Sequence, residues 1–414
     1  MSDFDTQLDN YMEIILRVGL NLQPGQTLRI GAGGGVALDH AAQVRQLARK
    51  AYDLGAGNVQ VTWRDLETQR MWFERASAQA LESFSSAQVQ VEQELIDQHA
   101  AMASLAGADP DAFATVDAAR MGVAMKAQGI AMRPVSAQIM AGRVPWVVAA
   151  MASPGWAHKV FPDKTPDEAL SALWAYIFHA VRADTPDPIA AWRTHVDQLS
   201  TRVAALDRHH FAGLRYRGPG TDLTIVLPAK HRWIGGGGKD SRGIPFVPNI
   251  PTEEVFSLPQ RDGVYGTVRG TMPVLLRGTV VDGIAMRFEA GRVVEYAATQ
   301  GQEALKGLIE TDEGSRYLGE VALVTDDSPT FATFPLYSTL FDENVTCHIA
   351  LGKAYAACLQ DGDLMSVEQL AAEGANDSAA HWDFMIGSPE LEIDGETADG
   401  QLVPIIRNGA WRLG

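Results

Sequence analysis

The chain has 414 residues, more than one ordinary hydrophobic core accommodates, which sets an expectation of two domains. Hydrophobic residues make up 46% and charged residues 21%, a globular composition rather than a disordered or fibrous one. The formal net charge of −17 argues against nucleic acid and anionic membrane as partners, and a negative field favours cations, metals and protonated amines among them.

The first segment, MSDFDTQLDNYMEIILRVGL, carries acidic residues where a secretion signal carries basic ones. No run of about 18 apolar residues follows, so the expectation is a cytoplasmic protein with no membrane span. Tyr11, Ile14, Ile15 and Val18 recur at helical spacing over residues 4–19. TLRIGAG (27–33) reads as a strand, 38–54 as a helix stopped by Gly55, and NVQVTW (58–63) as a second strand. QRMWFERASAQALESF (69–84) reads as a helix, and AQVQVEQELIDQHAAMASLAG (87–107) contains another. Helical patterns continue around 114–130 and 166–181, RADTPDP (182–188) breaks the structure, and 189–208 is helical again.

From about residue 211 the texture changes to strands and turns. GPGTDLTIVLP, RDGVYGTVRGT, VDGIAMRFEAGRVVEYAA and LEIDGETADGQLVPII read as hairpins, with Ile284, Met286 and Phe288 on one face of their strand. The Asp–Gly pairs at 282–283, 394–395 and 399–400 are turn signals. The pattern implies an α/β protein. Residues 1–200 form an N-terminal α/β domain with a largely parallel sheet, and residues 201–414 a C-terminal α+β domain rich in antiparallel strands.

Several motifs fail. GAGGGV (31–36) has Val36 where a dinucleotide-binding turn needs its third glycine, so it reads as a tight turn. In WIGGGGKDSRG (233–243), Lys239 is followed by Asp240 instead of the Ser or Thr of a phosphate loop, and the run reads as a mobile glycine hinge or flap near a site. Neither H-E-x-x-H nor G-x-S-x-G occurs. Cys347 and Cys358 lie in a segment that reads as helical, which would hold them about 16 Å apart, too far for a disulfide.

Four segments of the second half bring an acid or a histidine into an apolar setting. NIPTEEVFSLPQ (249–260) places Glu253 and Glu254 between prolines, beside Val255 and Phe256. In RYLGEVALV (316–324), Glu320 leads into an apolar strand. In LFDENVTCHIALGKAYAAC (340–358), His348 and Tyr355 are seven apart, about 700° on a helix, and would share its face. In HWDFMIG (381–387), a strand would send His381 and Asp383 to the same side. Taken singly, each acid also reads as an ordinary turn or cap residue. Together, Glu254, Glu320, His348, His381 and Asp383 form a carboxylate-rich set with two imidazoles, suited to Zn²⁺, Co²⁺ or Mn²⁺. Five such ligands suffice for two ions about 3.5–4 Å apart, bridged by a carboxylate.

The same segments carry a resemblance. RVGLNLQPGQ, PGWAHKVFPD (154–163), DPIAAW (187–192), GPGTDL (218–223), NIPTEEVF, TDEGSRYLGEVALV, TLFDENVTCHIALGKAY and HWDFMIGS are collinear blocks over almost the whole chain. In these the sequence resembles the aminopeptidase T family of metallopeptidases, the thermophilic aminopeptidases that include the AmpS and PepS types. The resemblance implies a metalloaminopeptidase: a homodimeric hydrolase with two divalent ions per subunit (Zn, Co, Mn or Mg), acting on peptides with a free N-terminus. It makes Glu254, Glu320, His348, His381 and Asp383 metal ligands held in the C-terminal domain, and puts Tyr355 beside the metals. Glu253 becomes the general base and Glu343, in FDEN, a further ligand or base. On the residues alone, another dinuclear-metal hydrolase of amides or esters and a non-catalytic metal-binding protein stay open as alternatives.

Overall fold

A computed structural model describes residues 3–276, 278–332 and 334–414. The chain divides into two compact units: residues up to Trp192 with Gly237–Pro251, and Arg193–Gly236 with Thr252–Gly414.

The first unit is built on a five-stranded parallel sheet. Its strands are β1 (Thr27–Ile30), β2 (Asn58–Val61), β3 (Ala101–Ala106), β4 (Trp146–Ala150) and β8 (Asn249–Ile250), in the order β8-β4-β3-β1-β2. Parallel strands need long crossovers, and helices α1 (Asp3–Ile14), α2 (Ala41–Asp53), α3 (Leu66–Arg75), α4 (Ser86–Asp97), α5 (Ala118–Met140) and α6 (Pro166–Ala180) belong to this unit. Helix α1 opens with Asp3 and Asp5, favourable at the positive end of a helix. Its buried Tyr11 donates from its hydroxyl to Ala150 O at 2.9 Å, tying the helix to the end of β4. Leu95 and Ile96 of α4, Met102 of β3 and Val135 of α5 share one apolar cluster.

The second unit joins two antiparallel sheets. Its long helix α7 (Pro188–His209) starts in the first unit's segment and continues into this one. The larger sheet has eight strands: β5 (Gly213–Gly218), β6 (Thr221–Val226), β10 (Val264–Arg269), β11 (Ala285–Glu289), β12 (Arg292–Ala297), β16 (Glu392–Glu396), β17 (Leu402–Arg407) and β18 (Ala410–Trp411). The smaller has five, in the order β15-β14-β13-β9-β7: β7 (Ile234–Gly235), β9 (Val255–Ser257), β13 (Leu318–Leu323), β14 (His348–Gly352) and β15 (His381–Met385). Leu214, Leu223, Ile225, Val264, Met286 and Phe288 of the larger sheet form one core with Val321, Leu323, Ile349, Leu351 and Phe384 of the smaller. Ile284, Met286 and Phe288 are all buried, as their alternation implies.

Several local expectations are revised. Residues 69–84 are not one helix: α3 ends at Arg75, and a short helix, Ala78–Leu81, restarts after Ser77 accepts the Ala80 N–H. Strands β3 and β4 have no counterpart in the sequence reading. Residues 348–352 are strand, not helix, so Cys347 and Cys358 flank a strand and a turn; both are buried free thiols. Asp394–Gly395 is not a turn but the middle of β16, and the β16–β17 turn falls at Asp399–Gly400. Glycine is needed at 395 because a Cβ there would lie 2.5 Å from three atoms of the buried Phe211 ring. Asp394 pairs instead with Arg407 of β17. Gly395→Ala should therefore lower the stability of the protein by about 1–3 kcal/mol, the usual cost of overpacking, measured by chemical denaturation.

Candidate metal centre

The register of the small sheet gathers the ionisable residues. Glu320 on β13 lies opposite Ala350 on β14, and Ala350 lies opposite Asp383 on β15. His348 is opposite Ala322, and His381 is opposite Gly352. Residues directly opposed in an antiparallel pair share a face, so Glu320, His348, His381 and Asp383 rise from the same side of the sheet. The central positions beneath them, Ala350 and Gly352, are small and leave that side open. The other face carries Val321, Ile349, Leu351 and Phe384 into the core. Phe256 of β9 is opposite Ala322, so Glu254, two residues before it, also points to the ionisable side.

The side chains converge. His348 Nε2 is 3.1 Å from Glu254 Oε2 and 3.7 Å from Glu320 Oε1. His381 Nε2 is 3.4 Å from Glu320 Oε2 and 3.6 Å from Asp383 Oδ1. Two triads of ligand atoms result, Glu254–Glu320–His348 and Glu320–His381–Asp383, each with its atoms within 4.8 Å of one another. Glu320 belongs to both and turns one oxygen toward each histidine. The remaining ring nitrogens are fixed by backbone carbonyls: His381 Nδ1 lies 2.7 Å from Lys353 O, and His348 Nδ1 lies 3.3 Å from Thr346 O. A carbonyl only accepts, so each Nδ1 carries the proton and each Nε2 is directed at the carboxylates.

The electrostatics are those of an anionic hole. Burial pushes the Glu254 and Glu343 carboxyls above their ordinary range, and the neighbouring carboxylates push them further. For Glu320, burial acts upward, but its contacts with His348 and His381 outweigh it and hold the group down at about 2. Burial acts to lower both imidazoles, yet the carboxylates beside His348 and His381 hold both well above the usual histidine value. The cluster thus draws positive charge. Protons on the imidazoles meet part of the demand, and divalent cations bound by carboxylate oxygens and neutral Nε2 atoms would meet all of it. Glu254 Oε2 is consistent with this: it is buried, and the group facing it is His348 Nε2 at 3.1 Å. The donor set therefore fits divalent metal.

Tyr355 does not share a helix with His348. It lies just beyond β14, and its ring reaches the site across a turn, 4.9 Å from His381 and 6.0 Å from Phe256 between centroids. Burial, then the charges of Glu320, Asp383 and Glu343, push its phenol well above the ordinary value, so it stays a donor. Glu343, half-buried after the short helix Thr339–Asp342, lies within the field of Asp383, Glu254 and Glu320, although outside both triads. Glu253 is also outside them: its Oε1 is 3.5 Å from His195 Nε2 on α7. Two buried residues that the sequence did not mark sit beside it, His195 and Asn344. Neither carries a local pattern, because their partners are remote in sequence.

Residues 4–411 match the thermophilic metalloprotease family (M29). Aminopeptidase AmpS of Bacillus subtilis (strain 168) is 43% identical over 412 residues, covering 99% of this chain and 100% of its own. Aminopeptidase 2 of Geobacillus stearothermophilus is 43% identical over 412 residues, covering 99% of each. The solved structure of wild-type AmpT from Thermus thermophilus matches with a TM-score of 0.92 at 39% identity, over 99% of both chains.

The shared position of Glu320 makes a specific expectation. Glu320→Ala should strip bound metal completely, whereas Asp383→Ala or Glu254→Ala, each touching one triad, should leave a residual fraction, by elemental analysis of dialysed protein. Loading near neutral pH should also release protons, since imidazoles held above their ordinary pKa carry protons there and lose them to metal; calorimetry in buffers of different ionisation enthalpy reads this.

Proposed function

This chain belongs to the thermophilic metalloprotease (M29) family, and on that premise we propose that it is a metal-dependent aminopeptidase, releasing N-terminal residues from peptides. The observation that carries the reading is the meeting of three carboxylates and two imidazoles around the shared Glu320, in a chain that matches aminopeptidases from end to end.

Glu254, Glu320, His348, His381 and Asp383 would hold the metal, with Glu343 completing the set. Two divalent ions per subunit, Zn²⁺, Co²⁺, Mn²⁺ or Mg²⁺, suit two triads with one common carboxylate. When bound, such ions supply Lewis-acid chemistry, acidifying a water and polarising the scissile carbonyl. Glu253 accepts the proton of the attacking water and passes it to the departing amine, which would otherwise be a poor leaving group. Tyr355, kept protonated, donates a hydrogen bond to the oxygen that gains charge as the carbonyl becomes tetrahedral. The acidic residues favour a protonated N-terminus over a blocked one, the preference an exopeptidase needs. A homodimer in the cytoplasm completes the proposal. Two buried free thiols suit a reducing compartment, and no described helix is long and apolar enough to cross a membrane.

Chelation should abolish hydrolysis of an aminoacyl anilide, and Zn²⁺ or Co²⁺ should restore it. A dipeptide should be cleaved and its N-acetyl derivative spared; cleavage of both would point to a general amide hydrolase. Glu253→Gln should keep its metal and lose about 10²–10⁴-fold in kcat. Loss of metal from that variant would instead place Glu253 among the ligands.

A further inference from the structure

We infer that His195 is a positioning residue: it fixes the peptide that carries Glu253 and faces that residue's carboxylate, holding it in the orientation required for proton transfer. This rests on the reading of Glu253 as the base. His195 sits on α7 and is 6% exposed. Its Nε2 lies 2.7 Å from Thr252 O. The carbonyl only accepts, so Nε2 bears the proton. The same N–H looks onto Glu253 Oε1 at 3.5 Å. On the other side, the Glu253 backbone N–H donates to Asn344 Oδ1 at 2.7 Å. Thr252 C=O and Glu253 N–H are the two polar ends of a single peptide. That peptide precedes β9, which begins at Val255, so no sheet ladder satisfies it. Two buried side chains satisfy it instead, and turning the peptide plane would leave both ends unpaired in the interior. Asn344 is itself pinned, donating to Leu340 O at 2.9 Å, and its Nδ2 reaches Glu343 Oε1 at 3.5 Å.

The glycine run explains how α7 comes close enough. A Cβ on Gly235 would lie 2.9 Å from Glu254 O and 3.4 Å from Val203 Cγ2 of α7. One on Gly236, at φ +74, would lie 3.0 Å from Val196 O and 3.3 Å from Leu199 Cβ, both of α7. Both glycines are packed against α7, and Gly235 also against the residues that begin β9.

Three substitutions at 195, with metal content, KM, kcat and melting temperature measured for each, test this. His195→Leu should lower kcat about 100-fold while KM and metal content stay at the parent values. His195→Gln, whose amide N–H can stand where Nε2–H stands, should recover most of the rate. His195→Asn, polar but too short, should behave like His195→Leu and serves in its place if the leucine variant does not fold. Unchanged kcat in His195→Leu and His195→Asn, or loss of metal from them, overturns the inference. In a Glu253→Gln background, His195→Leu should cost nothing further; a second, multiplying loss overturns it. If Glu253→Gln alone keeps the parent rate, the base reading falls and this role with it, whereas a loss in Glu253→Gln with none in His195→Leu sinks only the present inference. Independently of turnover, ¹⁵N-histidine spectra of the chelator-stripped protein should show His195, assigned by the signal missing from His195→Gln, as the Nε2–H tautomer. An Nδ1–H tautomer overturns the inference.

Discussion

The second unit depends on one electrostatic constraint: carboxylates of Glu254, Glu320 and Asp383 packed within a few ångströms of one another and largely shielded from water. At such distances in a low-dielectric interior, like charges repel strongly, and each carboxylate pays its own desolvation. Nothing apolar can offset that. Only positive charge at the same spot can, and the two imidazoles supply it as protonated groups or as ligands of a cation. The upward pull on both histidines and the downward hold on Glu320 are two views of this one balance.

Holding repelling groups together requires a floor that does not yield. The sheet provides it by being apolar on one side and ionisable on the other. Ile349 and Leu351 of β14 pack into the shared core while His348, Ala350 and Gly352 alternate to the opposite side. The backbone then orients the two imidazoles, through Lys353 O and Thr346 O. The far end of β14 is tied down as well: Asn376 Nδ2 donates to Gly352 O at 2.6 Å and to Gly314 O at 2.8 Å. The loop before Glu343 is fixed by Asp342, which accepts from Leu336 N–H at 2.7 Å and Ser338 N–H at 2.9 Å. Burial pushes that carboxyl up to about 7, against the pull of these hydrogen bonds.

What could be read from the sequence followed from period and neighbourhood. HWDFMIG alternates, so His381 and Asp383 were legible as one face of a strand, and they meet at Glu320. The parallel sheet of the first unit was legible from its alternation of elements, but β3 and β4 were not. AMASLA and WVVAA are short, mostly apolar runs with no polar residue at alternate positions, and such runs do not distinguish strand from helix. The same ambiguity hid β14. HIALG is buried throughout, and the alanines after it imitate a helix, so His348 and Tyr355 reach one site by a different geometry from the one their spacing suggests. Asp394–Gly395 misled because glycine there answers to the Phe211 ring and not to a turn. His195 and Asn344 were invisible for another reason: their partners are 57 and 91 residues away, and no local window contains both.

The neighbouring acids Glu253 and Glu254 show how much a single peptide can decide. The two acids lie just before β9, and their carboxylates meet different histidines: Glu254 meets His348 and Glu253 meets His195. Register puts Glu254 on the side of His348, through Phe256 and Ala322. The Glu253 carboxylate faces the Nε2–H of His195 on α7, at 3.5 Å. A rotation of the Thr252–Glu253 peptide would break its hydrogen bonds to His195 and Asn344, so the helix and the Asn344 loop both resist it. The different surroundings of these two neighbouring carboxylates are therefore set by the backbone and the remote side chains that hold it.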